Sequence, residues 1–427
     1  MKNKKETLLI LIILITISII IFNRDKLYEA KYIEPKDTLL AITINGEIST
    51  TFPTTNAYTG SVECTTGTGK VEWNGTKWVL TTNGITKGST KCNAVFNKKL
   101  TFAETILAKN EVKTPITIPG AAVSTASEAL LASAEDDYGT SYYFRGAVTN
   151  NYVQFANKCW RIVRVGGDGS VKLILHNDNT AGAANPCDAA NNSASAAFAR
   201  YSDTTYKSAF NSSYNDNAYV GFKYGTPGSS TYEATHANTN NSTILTNLET
   251  WYTNNLKTYA DAIADTVWCN DKTNVTDTTY DPYGWNPNGY GYGTNVTYYG
   301  ATQRLVSKSN SAGGTGPSLK CNGELSKINS KVGLITADEL AYAGYAYGKN
   351  NTTTYLQENA TDTYWWSLSP RNFNGDYARV WSVSGSSGYF GNDGVNSTLG
   401  VRPSISLKST TNATGNGTSD SPFIIST

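Results

Sequence analysis

Few residues in this chain could carry out acid–base or nucleophilic chemistry. Histidine occurs only at His176 and His236. His176 closes the apolar run VKLILH, and His236 lies in a stretch rich in Asn and Thr. Neither spacing sets a Ser or Cys nucleophile beside an imidazole, so both are read as structural or solvent-facing. Adjacent carboxylates occur at Asp136-Asp137 and Asp338-Glu339. The second pair follows Thr336, where acids favour a helix dipole, and neither pair is assigned as an acid–base dyad. Asn392, Asp393 and Asn396 in GNDGVNS could offer oxygen ligands to calcium, but the run reads first as a turn. The six cysteines, Cys64, Cys92, Cys159, Cys187, Cys269 and Cys321, include no CxxC and no His-bearing cluster, which argues against zinc. Of the roughly 15 pairings that such a set allows, the sequential one is simplest: Cys64–Cys92, Cys159–Cys187, Cys269–Cys321. Bridges of this kind belong to an oxidising, exported compartment. No catalytic residue, metal or cofactor is assigned.

Composition narrows the function classes further. Lys and Arg total 35 against 34 for Asp and Glu, a net charge of +1, and only 16% of residues are charged. That balance gives no long-range attraction to nucleic acid, and no such partner is expected. Polarity comes from Asn, Thr, Ser and Gly, beside 28 Tyr and 9 Trp, a mixture that suits an exported, β-rich protein. At the N-terminus Lys2, Lys4 and Lys5 precede the apolar run LLILIILITISIIIF at residues 8–22. The following NRDKLYEAKY offers no small-x-small cleavage site, and Lys5, Arg24 and Lys26 can snorkel to lengthen the span. Residues 1–24 are therefore predicted to be a cytoplasmic stub and single-pass membrane anchor, with the bulk of the chain outside the cell.

The elements that would position a site follow from hydrophobic periodicity. Residues 38–100 read as a small β module, with VEC, VEW, KWVL and CNAVF as strands and Asn74-Gly75 as a hairpin signal between Trp73 and Trp78. Residues 101–136 read as a connector in which LTFAETILA and the Ala-rich STASEALLASAE are helical. Residues 137–427 read as one large domain. It opens with the strands YYFRG, YVQFANKCWRIVRV and VKLILH, turning at Asp168-Gly169. Apolar residues from Ile244 to Ile263 recur at helical spacing, and Thr336 with Glu339 forms a capping box for a further helix. YWWSLS, YARVWSV, GYFG, GVRPSISL and PFIIS close the chain as strands. Strands, then helices, then strands predict an α+β fold whose two ends share one sheet.

Several motifs in fixed order carry a resemblance. DYGTSYYFRGAVTNNYVQFANKCWRIVRVGGDGSVKLIL, YVGFKYG, WYTNNLKTYADAIADTVWCND, VGLITADELAYAG, YWWSLSP and GVRPSISL span roughly residues 137–410. They look like the large surface proteins of Gram-positive gut bacteria that end in a GVRP-type domain. That domain is similar to the C-type-lectin-like fold shared by formylglycine-generating enzymes and by the variable proteins of diversity-generating retroelements. The β module at 38–100 looks like the short Ig-like units that precede such domains. The resemblance implies display and binding rather than catalysis. Formylglycine-generating enzymes carry a reactive cysteine pair near the C-terminus, and no cysteine follows Cys321 here. The EPN or QPD calcium-sugar signature of lectins is also missing, and WCND at Trp268–Asp271 only echoes the family's WND.

One segment stands apart. RNFNGDYARVWSVSGSSGYFGNDGVNSTL, residues 371–399, combines aromatics with Asn, Ser and Gly, the mixture that adaptable binding loops use. A ligand-free polar β-meander has the same composition. Diversified residues of retroelement-varied proteins occupy this place, and that resemblance selects binding through Tyr377, Arg379, Trp381, Tyr389 and Asn392. Strand alternation along YARVWSV puts Tyr377, Arg379 and Trp381 on one face. The expectation is a membrane-anchored extracellular binding protein or adhesin for an unidentified protein or glycan. The alternatives are a glycan-processing enzyme with a dispersed carboxylate pair, or a structural envelope protein.

Overall fold

The computed structural model describes residues 39–201 and 206–425. The chain divides into two compact units, one up to Leu100 and one from Thr101. Strands account for 34% of the structure and helices for 14%, which corrects the α+β expectation to a strand-dominated one. Among the described residues the longest helix, Thr243–Asn255, has 13 residues, and none is long and apolar enough to cross a membrane. The predicted span at residues 8–22 lies outside the described residues, and the single-pass assignment is not carried further.

In the first unit, the strands Glu47–Ser49, Leu39–Ile44, Lys91–Lys98 and Tyr58–Cys64 form one sheet in that order. Leu39–Ile44 runs parallel to Lys91–Lys98, and the other pairs are antiparallel. The hairpin Thr68–Trp73 and Trp78–Asn83 packs Val71 and Trp78 against Phe96, with the rings of Trp78 and Phe96 5.0 Å apart. Four strands faced by a two-stranded hairpin do not make the seven-stranded sandwich of an Ig domain, and the Ig-like expectation is corrected accordingly. Cys64 lies directly across the ladder from Cys92, and the two are bonded.

The second unit begins earlier than the sequence suggests. Helix Phe102–Lys109, closed by a Thr101–Glu104 capping box, packs Phe102 against Phe423 with ring centroids 5.3 Å apart. The Ala-rich stretch predicted to be helical is instead the strand Ala129–Asp136, paired residue for residue with Gly139–Gly146. Alanine favours a helix locally, but eight residues of ladder with buried Leu130, Leu131 and Ala132 outweigh that preference. Residues 101–136 thus belong to the domain they were expected to precede.

Two sheets build this unit. The eight-stranded sheet joins Ser404–Leu407, Val171–Asn177, Lys158–Val165, Tyr152–Phe155, Phe423–Ile425 and Ala413–Thr414, with Gly139–Gly146 and Ala129–Asp136 branching from Lys158–Val165. Both ends of the unit share this sheet, as the strand pattern anticipates. The six-stranded sheet runs Lys207–Ser208, Leu399–Gly400, Trp365–Phe373, Ala378–Val383 and Phe390–Gly394, with Thr297–Tyr298 added on Trp365–Phe373. The GVRP run is the crossover between the sheets: Gly400 ends a strand of one and Ser404 begins a strand of the other. Its Arg402 is buried, donates from Nε to the Leu175 carbonyl at 2.9 Å and from Nη1 to that of Leu356, and lies 5.2 Å from the Trp365 ring. Helix Thr243–Asn255 turns Ile244, Leu245, Leu248 and Trp251 onto this core, and Trp251 meets Trp160 edge-on.

All three disulfides pair in sequential order. The Asn185 carboxamide accepts the Cys187 N–H at 3.0 Å, which holds the polar loop where Cys159 can reach it. Cys159 and Cys187 are 28 residues apart, so replacing both by Ala is expected to cost about 3 kcal/mol. Denaturant titration of the double variant measures this. A midpoint equal to that of the parent would show that the bridge constrains nothing.

Candidate functional site

The 371–399 segment forms an antiparallel three-stranded edge. Trp365–Phe373, wholly buried, pairs with Ala378–Val383, which pairs with Phe390–Gly394. The first hairpin turns on Asn374, whose carboxamide accepts the Tyr377 N–H at 2.8 Å, with Gly375 at φ +99°. The second closes against Gly388, where a Cβ would stand 2.0 Å from the Asn351 carbonyl oxygen. Both turns are rigidly specified, as a preorganised binding edge requires.

Register decides which of the expected residues meet. Arg379 faces Asn372 on one side and Gly394 on the other, and Trp381 faces Asn392. These side chains share one face, as alternation predicts. Tyr377 stands beside them, 39% exposed, over the bare Gly394 and stacked on Tyr214 with centroids 4.5 Å apart and planes at 11°. Trp381 does not contact solvent. It is fully buried against Phe390, 4.8 Å away, and Tyr347, because this face continues into the core. Its role as a ligand anchor is therefore corrected to that of a core residue. Tyr389 is separated from the others: it lies over Gly391, which pairs with Ser382 on the opposite face. Asn392 and Asp393 are strand residues, so the turn expected at GNDGVNS starts only after Gly394.

On the facing strand, next to Arg379, a second arginine is enclosed by aromatic rings. Arg371 is buried, with its guanidinium 4.7 Å from the Tyr283 ring, 5.4 Å from Trp381 and 5.5 Å from Tyr347. It donates to the Asn372 carboxamide at 2.8 Å and to the Tyr283 hydroxyl. Tyr283 comes from the Tyr-rich loop at 276–300. That loop is held by Asp281, whose carboxylate accepts the N–H groups of Trp285 and Asn286 and the Tyr298 hydroxyl at 2.8–2.9 Å. The Tyr-rich loop and the strand edge thus meet at the Arg371 guanidinium. Neither Arg371 nor Arg379 makes an ion pair among the described residues. Burial and the neighbouring Arg371 lower the Arg379 pKa from its usual value, against the pull of Asp393. Five buried polar atoms here have no hydrogen-bond partner: Nε of Arg371 and Arg379, Nδ2 of Asn372, Nε1 of Trp381 and Oδ1 of Asn392.

A family model described as a domain of unknown function (DUF6273) matches residues 301–409. The match takes in this edge and the GVRP crossover. No curated protein and no solved structure matches the chain.

The two carboxylate pairs weighed from sequence meet in a separate cleft of about 270 Å³ beside the Cys269–Cys321 bridge. Arg164 bridges Asp136 and Glu339 at 2.9 Å each, and Lys172 reaches Glu339 at 2.6 Å. Arg304 grips both oxygens of Asp338, at 2.7 and 2.8 Å, and reaches Asp271 at 2.7 Å. Burial would raise the Glu339 pKa, but Lys172, Arg164 and the Thr336 N–H hold it at about 2. A general acid must keep its proton near neutral pH, and Glu339 does not. The cleft reads as a clamp between the strands and the Ala337–Ala343 helix.

Both histidines are buried. His236 Nε2 lies 2.7 Å from the Gly291 carbonyl, and burial lowers its pKa to about 3. His176 is likewise held neutral by burial and by Arg161 and Arg402. The WCND segment is structural, with Asn270 bridging Phe222 N–H and Leu368 carbonyl at 2.8 Å each. Sequence reasoning missed Tyr214, Tyr283, Tyr347 and Arg371. Arg371 opens the segment already singled out, whereas no spacing marks Tyr214 as the stacking partner of Tyr377.

Proposed function

We propose that this protein is an extracellular ligand-binding protein of the adhesin type, built on a C-type-lectin-like scaffold and binding through the Tyr214–Tyr377 platform and Arg379. The observation that carries this reading is the stacked, partly exposed tyrosine pair on a rigid strand edge, beside an arginine that makes no ion pair among the described residues and whose Nε lacks an acceptor there. Aromatic platforms supply contact area at small entropic cost, and a polar group left unpaired next to one gains a hydrogen bond only when a ligand arrives. Three disulfides fit an extracellular setting. Two ends sharing one sheet agree with the resemblance to the lectin-like domains. A glycan-cleaving function is less well supported, because the paired acids of the cleft are committed to Arg164, Lys172 and Arg304.

An array of glycans and surface proteins probed with the purified chain tests this directly. Tyr377→Ala and Tyr214→Ala are each expected to weaken binding of any retained ligand by more than about 1 kcal/mol. Tyr290→Ala, an exposed residue of the Tyr-rich loop, should change it little. If Tyr290→Ala abolished binding while the platform variants kept it, the contact surface would be the loop and not the strand edge.

A further inference from the structure

We infer that the ligand of this edge is an acidic sugar, its carboxylate or sulfate received by Arg379 with Arg371 behind it. The inference rests on the binding reading above and names the substrate class. Elsewhere in this unit Arg145, Arg161, Arg164 and Arg304 are each matched to a carboxylate within 3.0 Å, and the buried Arg402 is answered by the carbonyls of Leu175 and Leu356. Arg371 and Arg379 make no ion pair among the described residues and lie side by side on facing strands, where Asn372 pairs with Arg379. Placing two guanidinium groups together without an anion is unfavourable, and a planar oxyanion is the natural complement of such a fork. Asp393 does not fill that role. It lies on the opposite face of its strand and accepts the Ser382 hydroxyl at 3.0 Å.

The unpaired atoms of the edge point the same way. Arg379 is partly exposed, and its Nε is a donor without an acceptor among the described residues. An anion is an acceptor only, so it satisfies donors that a second cation would not. Asn392 Oδ1 is the one unpaired acceptor, which suits a ligand that also carries hydroxyl groups. The Tyr214–Tyr377 stack offers the flat apolar surface on which a pyranose ring can rest. Anion, hydroxyl and ring face together describe a uronic, sialic or sulfated sugar more closely than an acidic peptide.

Calorimetry with the full chain compares sialyllactose and a glucuronic-acid oligosaccharide, a sulfated oligosaccharide, lactose, and an Asp/Glu-rich peptide. At least one acidic sugar should bind about tenfold tighter than its neutral parent. That preference should shrink as salt is raised. Arg379→Gln should abolish the preference while leaving the melting temperature unchanged, and Arg379→Lys should restore part of it. Tyr377→Ala should weaken acidic and neutral sugars alike. Binding of only the carboxylated or only the sulfated sugar supports the inference and tells which oxyanion fits. Equal affinity for lactose, unaltered by Arg379→Gln yet lost in Tyr377→Ala, overturns the acidic-sugar inference and keeps the binding edge. Preference for the acidic peptide overturns the sugar. Ligand binding that neither Tyr377→Ala nor Arg379→Gln disturbs, or no binding at all, overturns the proposed function together with this inference.

Discussion

Trp381→Ala is expected to cost the larger unit about 3–5 kcal/mol of stability, the range for deleting a buried tryptophan. Trp381 is wholly enclosed by Phe390, Tyr347 and the Arg371 guanidinium. Removing it opens a cavity and also takes away one wall of the aromatic cage around a buried charge, so the loss should fall at the upper end. In a denaturant titration the midpoint should fall with the slope unchanged. Tyr377→Ala, on the same face but partly exposed, should move the midpoint by less than about 1 kcal/mol. The pair separates structure from recognition: one variant unfolds easily, the other folds and binds poorly. A Trp381→Ala protein as stable as its parent would show that the indole does not support the core.

Glu339→Gln is expected to cost about 3–5 kcal/mol as well, because it leaves Lys172 and Arg164 buried without their shared carboxylate. Acid should act on the same residue. Its folded pKa is about 2 against an unfolded value of 4.5, so the unfolded chain binds the proton more tightly. The stabilisation is therefore fully present above about pH 4.5 and is lost as pH falls toward 2. Its size, two to three pKa units, is roughly 3 kcal/mol. Unfolding midpoints measured across pH 2 to 6 should thus fall more steeply for the parent than for Glu339→Gln. Parallel curves would mean that the clamp carries no net ionic stabilisation.

The contrast between Thr336–Glu339 and Ala129–Asp136 shows what could be read from the chain alone. The capping box is a local arrangement, Thr336 Oγ1 to Glu339 N–H at 3.0 Å and Glu339 Oε2 to Thr336 N–H at 2.9 Å, and its four-residue signature suffices. The Ala-rich strand is decided by a partner across a hairpin and by burial against the core, so local propensity points the wrong way. The same reasoning covers the candidate site. Alternation along Arg379–Trp381 is local and was legible. That the shared face plunges into the core at Trp381 depends on Tyr347, and that Tyr377 has a platform depends on Tyr214, neither of which spacing can supply. The long polar stretches were legible only as irregular, and Asn explains how they hold shape. A single carboxamide, that of Asn217, donates to the carbonyls of Gly293 and Asn295 at 2.9 and 2.8 Å, doing for a loop what a ladder does for a strand.

The sheet shared by both ends also sets the order in which this unit can be finished. Tyr152–Phe155 waits for Phe423–Ile425, and Val171–Asn177 for Ser404–Leu407, partners made only after most of the unit has left the ribosome. Until then the first strands present unpaired edges and the apolar face later covered by Phe423 and Ile405. Such long-range closure makes folding slow relative to synthesis.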